Sequence, residues 1–153
     1  MDFSQKYVCP LTHSLLYSDG SNLLSNDGHS WPIHNGKFPK FLDIDAVSGT
    51  DKESLDWYKV NARDYDNYLP LTFETFNVDE DEERIKMIRA LDITPGQRVL
   101  EIGAGTGRDT EKILSALMEG EMFIQDISSE ILEICFDKLS GQIDGVDKNF
   151  FIS

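Results

Sequence analysis

Basic residues are scarce in this chain: 14 lysines and arginines stand against 28 aspartates and glutamates, for a formal net charge of −14. Such a field repels phosphate backbones, so nucleic acid is a poor first partner. Cysteine is scarcer still. Cys9 and Cys135 are the only two, and their distance in sequence argues against a disulfide framework. Nothing in the chain approaches the roughly 18 apolar residues that cross a bilayer. The opening Met1-Asp-Phe-Ser-Gln-Lys6 also lacks the basic and apolar regions of a signal peptide. The expected address is therefore the cytoplasm, with no membrane partner. Internal repeats and low-complexity tracts are missing too. What remains, 153 residues at 40% hydrophobic, suffices for one domain core, or for a small module plus part of a larger one.

Three regions differ in texture. Residues 1–45 hold short β-like pieces, Tyr7-Val-Cys9, Leu15-Leu-Tyr17 and Trp31-Pro-Ile33, between the turn pairs Asp19-Gly20, Asp27-Gly28 and Asn35-Gly36. Asp-Gly and Asn-Gly pairs favour hairpins because glycine accepts positive φ at low cost. Residues 46–78 read as a helical linker or lid, with Trp57-Tyr58 and an aromatic stretch from Tyr65 to Phe73 in which Pro70 marks a break or a helix start. Residues 79–153 are regular. Asp79-Glu-Asp-Glu-Glu83 opens a helix, where carboxylates complement the dipole, and Ile85, Ile88 and Leu91 follow at helical spacing.

Beyond Thr94-Pro-Gly96 the order is strand (98–102), glycine turn, helix (108–118), strand to Asp126, helix (129–139) and strand (149–152). Ile113, Leu114 and Leu117 form the apolar stripe of the first of these helices, and Ile131, Leu132, Cys135, Phe136 and Leu139 that of the second. Cys135 on that face is expected to be a buried small hydrophobe. Strands alternating with single helices specify a parallel sheet. The expected fold class is α/β: the first half of a Rossmann-like parallel-sheet domain, preceded by a small β module. With three strands of such a sheet in hand, a fragment of a longer enzyme or a partner-completed protein is expected.

The richest segment is Val99-Leu-Glu-Ile-Gly-Ala-Gly-Thr-Gly107, a strand entering a turn with glycine at 103, 105 and 107 and a carboxylate, Glu101, inside the strand. Ligands of doubly wound sheets bind between a strand's carboxyl end and the next helix, where glycine permits close approach of backbone. Asp126 closes the next strand, 23 residues after Gly103, positioned to accept hydrogen bonds from ribose hydroxyls. The dinucleotide fingerprint is G-x-G-x-x-G; here the third spacing differs.

In this segment the chain resembles the class I S-adenosylmethionine-dependent methyltransferases, whose first motif is an apolar pair, an acid, an apolar residue and G-x-G-x-G, and whose second is an acid closing the next strand. The resemblance implies S-adenosylmethionine as cofactor and a small molecule or protein as methyl acceptor. It implies that backbone at Gly103, Ala104, Gly105, Thr106 and Gly107 approaches the methionine and ribose parts. Glu101 would hold the loop or the amino end, Asp126 the ribose, and Ile127 would pack near the adenine. Asn61 to Tyr68 resembles the helix that precedes the core in small-molecule and quinone methyltransferases, which makes Tyr65 a candidate lid residue; a tyrosine packing helix on sheet is an equal reading. No residue stands out as catalytic.

The amino-terminal Cys9-Pro-Leu-Thr12, Gly28-His-Ser-Trp-Pro-Ile33 and Pro39-Lys-Phe-Leu42 resemble the small zinc-ribbon-like module that some methyltransferases carry or recruit. Thr12 and Ser25 stand where thiolates are expected, leaving Cys9, His13 and His29 scattered, so a metal-free module held by Trp31, Phe38 and Phe41 is the expectation. Three alternatives stay open: a nicotinamide- or flavin-binding Rossmann oxidoreductase, a non-catalytic scaffold whose open sheet edge recruits a second copy or a partner, and an RNA methyltransferase, which the acidity disfavours.

Overall fold

The turn pairs of the amino-terminal region close a meander of four antiparallel strands in order, β1 (Leu16–Ser18), β2 (Asn22–Ser25), β3 (Ser30–His34) and β4 (Phe38–Pro39). The structure is a computed structural model that describes residues 6–142 and 150–153; Asn149 and residues 1–5, which figure in the sequence expectations, lie outside the described residues. Asp19 ties the first turn, its Oδ1 accepting from the N–H groups of Ser21 at 2.8 Å and Asn22 at 2.6 Å. The piece Tyr7-Val-Cys9 does not extend into a strand and makes one bridge, Val8 with Leu15. Cys9, Leu16, Leu23 and Trp31 form a small core beneath it.

Helices α1 (Gly49–Asn61) and α2 (Tyr65–Thr75) follow, joined by a tight turn at Ala62–Asp64. Pro70 neither breaks nor starts a helix: it sits inside α2. Proline withholds the N–H that would bond the carbonyl of Asp66 one turn earlier, and Arg108 Nη1 stands 3.5 Å from that carbonyl oxygen. A side chain thus answers part of the lost backbone bond. Helix α3 (Glu80–Ala90) begins on Asp79, whose Oδ1 accepts from Glu82 N–H at 2.9 Å.

The rest of the chain alternates: β5 (Arg98–Ile102), α4 (Arg108–Leu117), β6 (Glu121–Gln125), α5 (Ser129–Gln142) and β7 (Phe150–Ile152), with the strands parallel in the order β5-β6-β7. The protein is therefore mixed α/β, with one antiparallel and one parallel sheet. Register puts Val99, Met122 and Phe150 in one row, and Glu101, Ile124 and Ile152 in the next. Side chains alternate across a strand, so both rows point to one face, where Met122, Ile124, Phe150 and Ile152 join Ile113, Leu117, Leu132, Cys135 and Leu139 in the main core. The opposite face carries Leu100, Phe123 and Phe151, the two rings stacked at 5.1 Å. Leu100 and Ile102 remain 56% and 76% exposed, and β5 has no neighbour on its outer edge among the described residues.

The two sheets are packed together. Phe38 of β4 belongs to the main core and meets Phe136 of α5 at 6.2 Å. Glu133 on α5 accepts from Lys37 Nζ at 2.7 Å and Asn35 Nδ2 at 3.0 Å, and Tyr7 Oη donates to the Ile152 carbonyl at 2.8 Å. A boundary near residue 45 therefore separates sequence textures, while the packing runs across it. No helix among the described residues is long and apolar enough to cross a membrane.

Candidate functional site

The site is built where β5 and β6 end. All three glycines of the loop adopt positive φ, +73° at Gly103, +59° at Gly105 and +84° at Gly107, a region in which a Cβ is strained. The loop is sewn to the next strand: Gly103 and Ala104 N–H groups both donate to the Gln125 carbonyl, at 2.8 and 3.1 Å. Asp126 finishes the seam. Its Oδ2 accepts from Gly105 N–H at 2.8 Å and its Oδ1 from Ser128 N–H at 3.0 Å. A carboxylate offers about four acceptor positions, so the half-buried Asp126 keeps two for a ligand.

Beside the seam opens a cleft of about 570 Å³. Its floor is Ile102, Gly103, Gly105, Asp126 and Ile127, and Tyr58 and Tyr65 stand on one side. The other wall is unexpected from sequence: Phe38 to Leu42 of the amino-terminal module line it. Cleft walls are mostly apolar with a few placed polar groups, and this one follows that pattern, with Asp126, Lys40, Gln125, Ser129 and Ser153 among the polar members.

The loop residues differ in what they border. Gly103 and Gly105 line both the large cleft and a smaller cavity of about 110 Å³ under α2. Ala104 and Thr106 line only the smaller of the two, together with Tyr65, Leu69 and Arg84. Gly107 serves packing, since a Cβ there would lie 2.7 Å from Cys135 Sγ; it is also the residue that caps the start of α4. Burial of Cys135 pushes its thiol up to about 12, the behaviour of a small hydrophobe.

Glu101 lies under the loop and accepts from Thr110 Oγ1 at 2.6 Å, pinning the first turn of α4 to β5. Burial raises its pKa, with Thr110 opposing and the nearby Asp109 and Asp126 adding to the rise. Among the described residues no cation pairs with it. Glu101 is half-buried and lines neither the large cleft nor the smaller cavity, so it bears on the site through the loop above it.

Tyr65 sits between both cavities, its ring 5.7 Å from Tyr58 and 6.4 Å from Trp57, both edge-on. Burial raises the Tyr58 phenol, and Tyr65 and Asp126 contribute further. The residue that fastens this helix is Asp66, which the sequence did not single out. Its Oδ1 accepts from Thr106 Oγ1 at 2.5 Å, while Arg108 and Lys138 stand 3.6 and 3.5 Å from its carboxylate. Its position beside Tyr65 in a helix ahead of the glycine loop was the one available signal.

No family model matches the chain, and no curated protein matches it. Seven chains of solved structures match in the structural comparison. One is the YcgJ protein from Bacillus subtilis, similar over 47% of this chain and 29% of that one, at 23% identity and a TM-score of 0.40. The match thus spans less than a third of that protein's length.

Proposed function

We propose that the cleft binds S-adenosylmethionine and that the chain supplies the cofactor-binding half of a class I methyltransferase. The carrying observation is the bond from Gly105 N–H to Asp126 Oδ2, by which the glycine loop and the acid closing the next strand share one cleft. The order β5-β6-β7, with the glycine-bearing strand at one edge, is compatible with one half of a doubly wound, Rossmann-like sheet.

Each chain group then has a task. Asp126 receives the ribose diol on its two remaining acceptor positions. Glu101 provides negative potential beneath the loop for the cationic amino end, and the start of α4 favours the ligand's carboxylate. Ile127, Phe41 and Leu42 sandwich an adenine-sized ring, and Tyr58 and Tyr65 exclude water from the opposite side. When bound, the cofactor would supply an activated methyl group for a nucleophilic acceptor. The acceptor is a small molecule or a protein. The outer edge of β5, without a neighbour among the described residues, suits a further strand, from a second copy or a partner.

The competing nicotinamide or flavin reading is disfavoured by the G-x-G-x-G spacing and by Glu101, which repels a pyrophosphate approaching from above the loop. Calorimetric titration with S-adenosylhomocysteine and with NAD separates the two. Binding of the former, weakened at least tenfold in Asp126→Ala, is the expected outcome; equal affinity in wild type and variant, or tighter binding of NAD, refutes the proposal.

A further inference from the structure

The amino-terminal module contains a second site at the far end of its small sheet, independent of the methyltransferase reading. Two tight turns meet there. In the first, His13 N–H donates to the Cys9 carbonyl at 2.8 Å with His13 at φ +59°. In the second, Gly28 N–H donates to the Ser25 carbonyl at 3.1 Å with Gly28 at φ +93°. Between them Cys9 Sγ, a carboxylate oxygen of Asp27 and an imidazole nitrogen of His29 all lie within 4.8 Å of one another. Tetrahedral ligands at zinc distances are separated by about 3.5 Å. Rotation of the exposed Asp27 and half-buried His29 side chains closes that gap.

The surroundings favour an ion. Cys9 is fully buried, with Thr12 Oγ1 and the N–H groups of Leu11 and Thr12 turned toward its sulfur. The indole of Trp31, nine-tenths buried, also faces the sulfur, and its Nε1 has no hydrogen-bond partner of ordinary geometry. An N–H donor aimed at sulfur favours thiolate. The hydroxyls of Ser25 and Ser14 both donate to the Asp27 carboxylate, the latter at 3.3 Å. A thiol and a carboxylate thus face each other beside an imidazole, and the groups turned toward them are hydroxyls and N–H donors, with no lysine or arginine among them. Donors that orient the ligands themselves are the usual outer shell of a metal site.

We propose that Cys9, Asp27 and His29 form a three-ligand site for a borderline divalent transition ion such as Zn²⁺, with water in the fourth position. The donor set differs from the four-thiolate closure of a zinc ribbon. Only Cys9 occupies a thiolate place, and Thr12 and Ser25 orient ligands through their hydroxyls. Mixed S, O and N donors with an open position make an exchangeable site, one that clamps the two turns when filled. The sequence expectation of a metal-free module rests on Thr12 and Ser25 in thiolate places; Asp27 is the ligand that spacing alone does not offer.

Cobalt titration of the reduced, chelator-treated chain tests the proposal, since a cobalt–thiolate bond has a charge-transfer absorption that oxygen and nitrogen ligands lack. One equivalent of Co²⁺ is expected to produce the band, and Zn²⁺ to abolish it by displacement. Cys9→Ser should lose the band and Cys135→Ala keep it, while Asp27→Asn and His29→Gln, both changed on accessible side chains, should each weaken Co²⁺ at least tenfold with unchanged circular dichroism. If Cys9→Ser does not fold, the latter two variants decide. No band in the wild type, a band surviving in Cys9→Ser, or wild-type affinity in both Asp27→Asn and His29→Gln would overturn the site.

Discussion

Two helices flank the glycine loop and are held there by opposite means. Helix α4 buries Thr110, Ile113 and Leu117 against the parallel sheet, whereas α2 buries no residue and leaves Tyr68 and Leu71 more than half exposed. What fastens α2 is Asp66, through Thr106, Arg108 and Lys138. Apolar burial scales with area, while half-buried polar contacts, for which water competes, are individually worth little and open more readily. Floor and lid of one cleft are thereby given different stabilities.

Truncating each helix at one leucine is the strongest way to break this comparison. Leu117→Ala should lower unfolding free energy by about 2–5 kcal/mol, and Leu71→Ala by less than about 0.5 kcal/mol, both read from urea denaturation. Similar losses would mean that α2 is as much part of the core as α4. A smaller effect is expected from Asp66→Asn, which weakens the lid contact by about 0.5–1.5 kcal/mol. Hydrogen exchange of α2 amides should accelerate several-fold while α4 amides keep their rates; acceleration in both helices would contradict separate fastening.

The smallest effect concerns Glu101 beneath α4. Its folded pKa lies above the ordinary 4.5, so the folded state binds its proton more tightly than the unfolded chain does. The stability linked to that proton is complete below about 4.5 and is lost as pH rises through the folded value. Glu101→Gln should therefore be the more stable protein at pH 7, and the difference should vanish in acid. A variant equally destabilised at both pH values would show that the hydrogen bond to Thr110, rather than charge burial, is what Glu101 contributes.

The parallel half was legible because its requirements are local. Positive φ at 103, 105 and 107 writes itself as glycine, and rows such as Met122 and Ile124 write themselves as alternation. The lid and the far wall were not. Asp66 acts across 40 residues on Thr106, and surface aspartates carry no mark of their partner. Phe38 and Phe41 read as core residues of a small module; Phe41 packs on that core while Phe38 belongs to the main one, and their role as cleft wall follows only from how the two sheets dock. Pro70 misled for a related reason: its cost is judged on the backbone alone, and Arg108, which stands against the orphaned carbonyl, is 38 residues away. His29 stood among the scattered ligand candidates and Asp27 as a turn residue until the fold set both beside Cys9.

The contact between Gly107 and Cys135 has a kinetic consequence. Because Cys135 Sγ occupies the space that a side chain at 107 would take, a reagent can reach that sulfur only after the loop end and α5 have parted. The reaction rate of this one thiol, measured against the exposed-state rate of the denatured chain, is thus a clock for excursions of the loop, and a bound ligand would slow it without touching the cysteine.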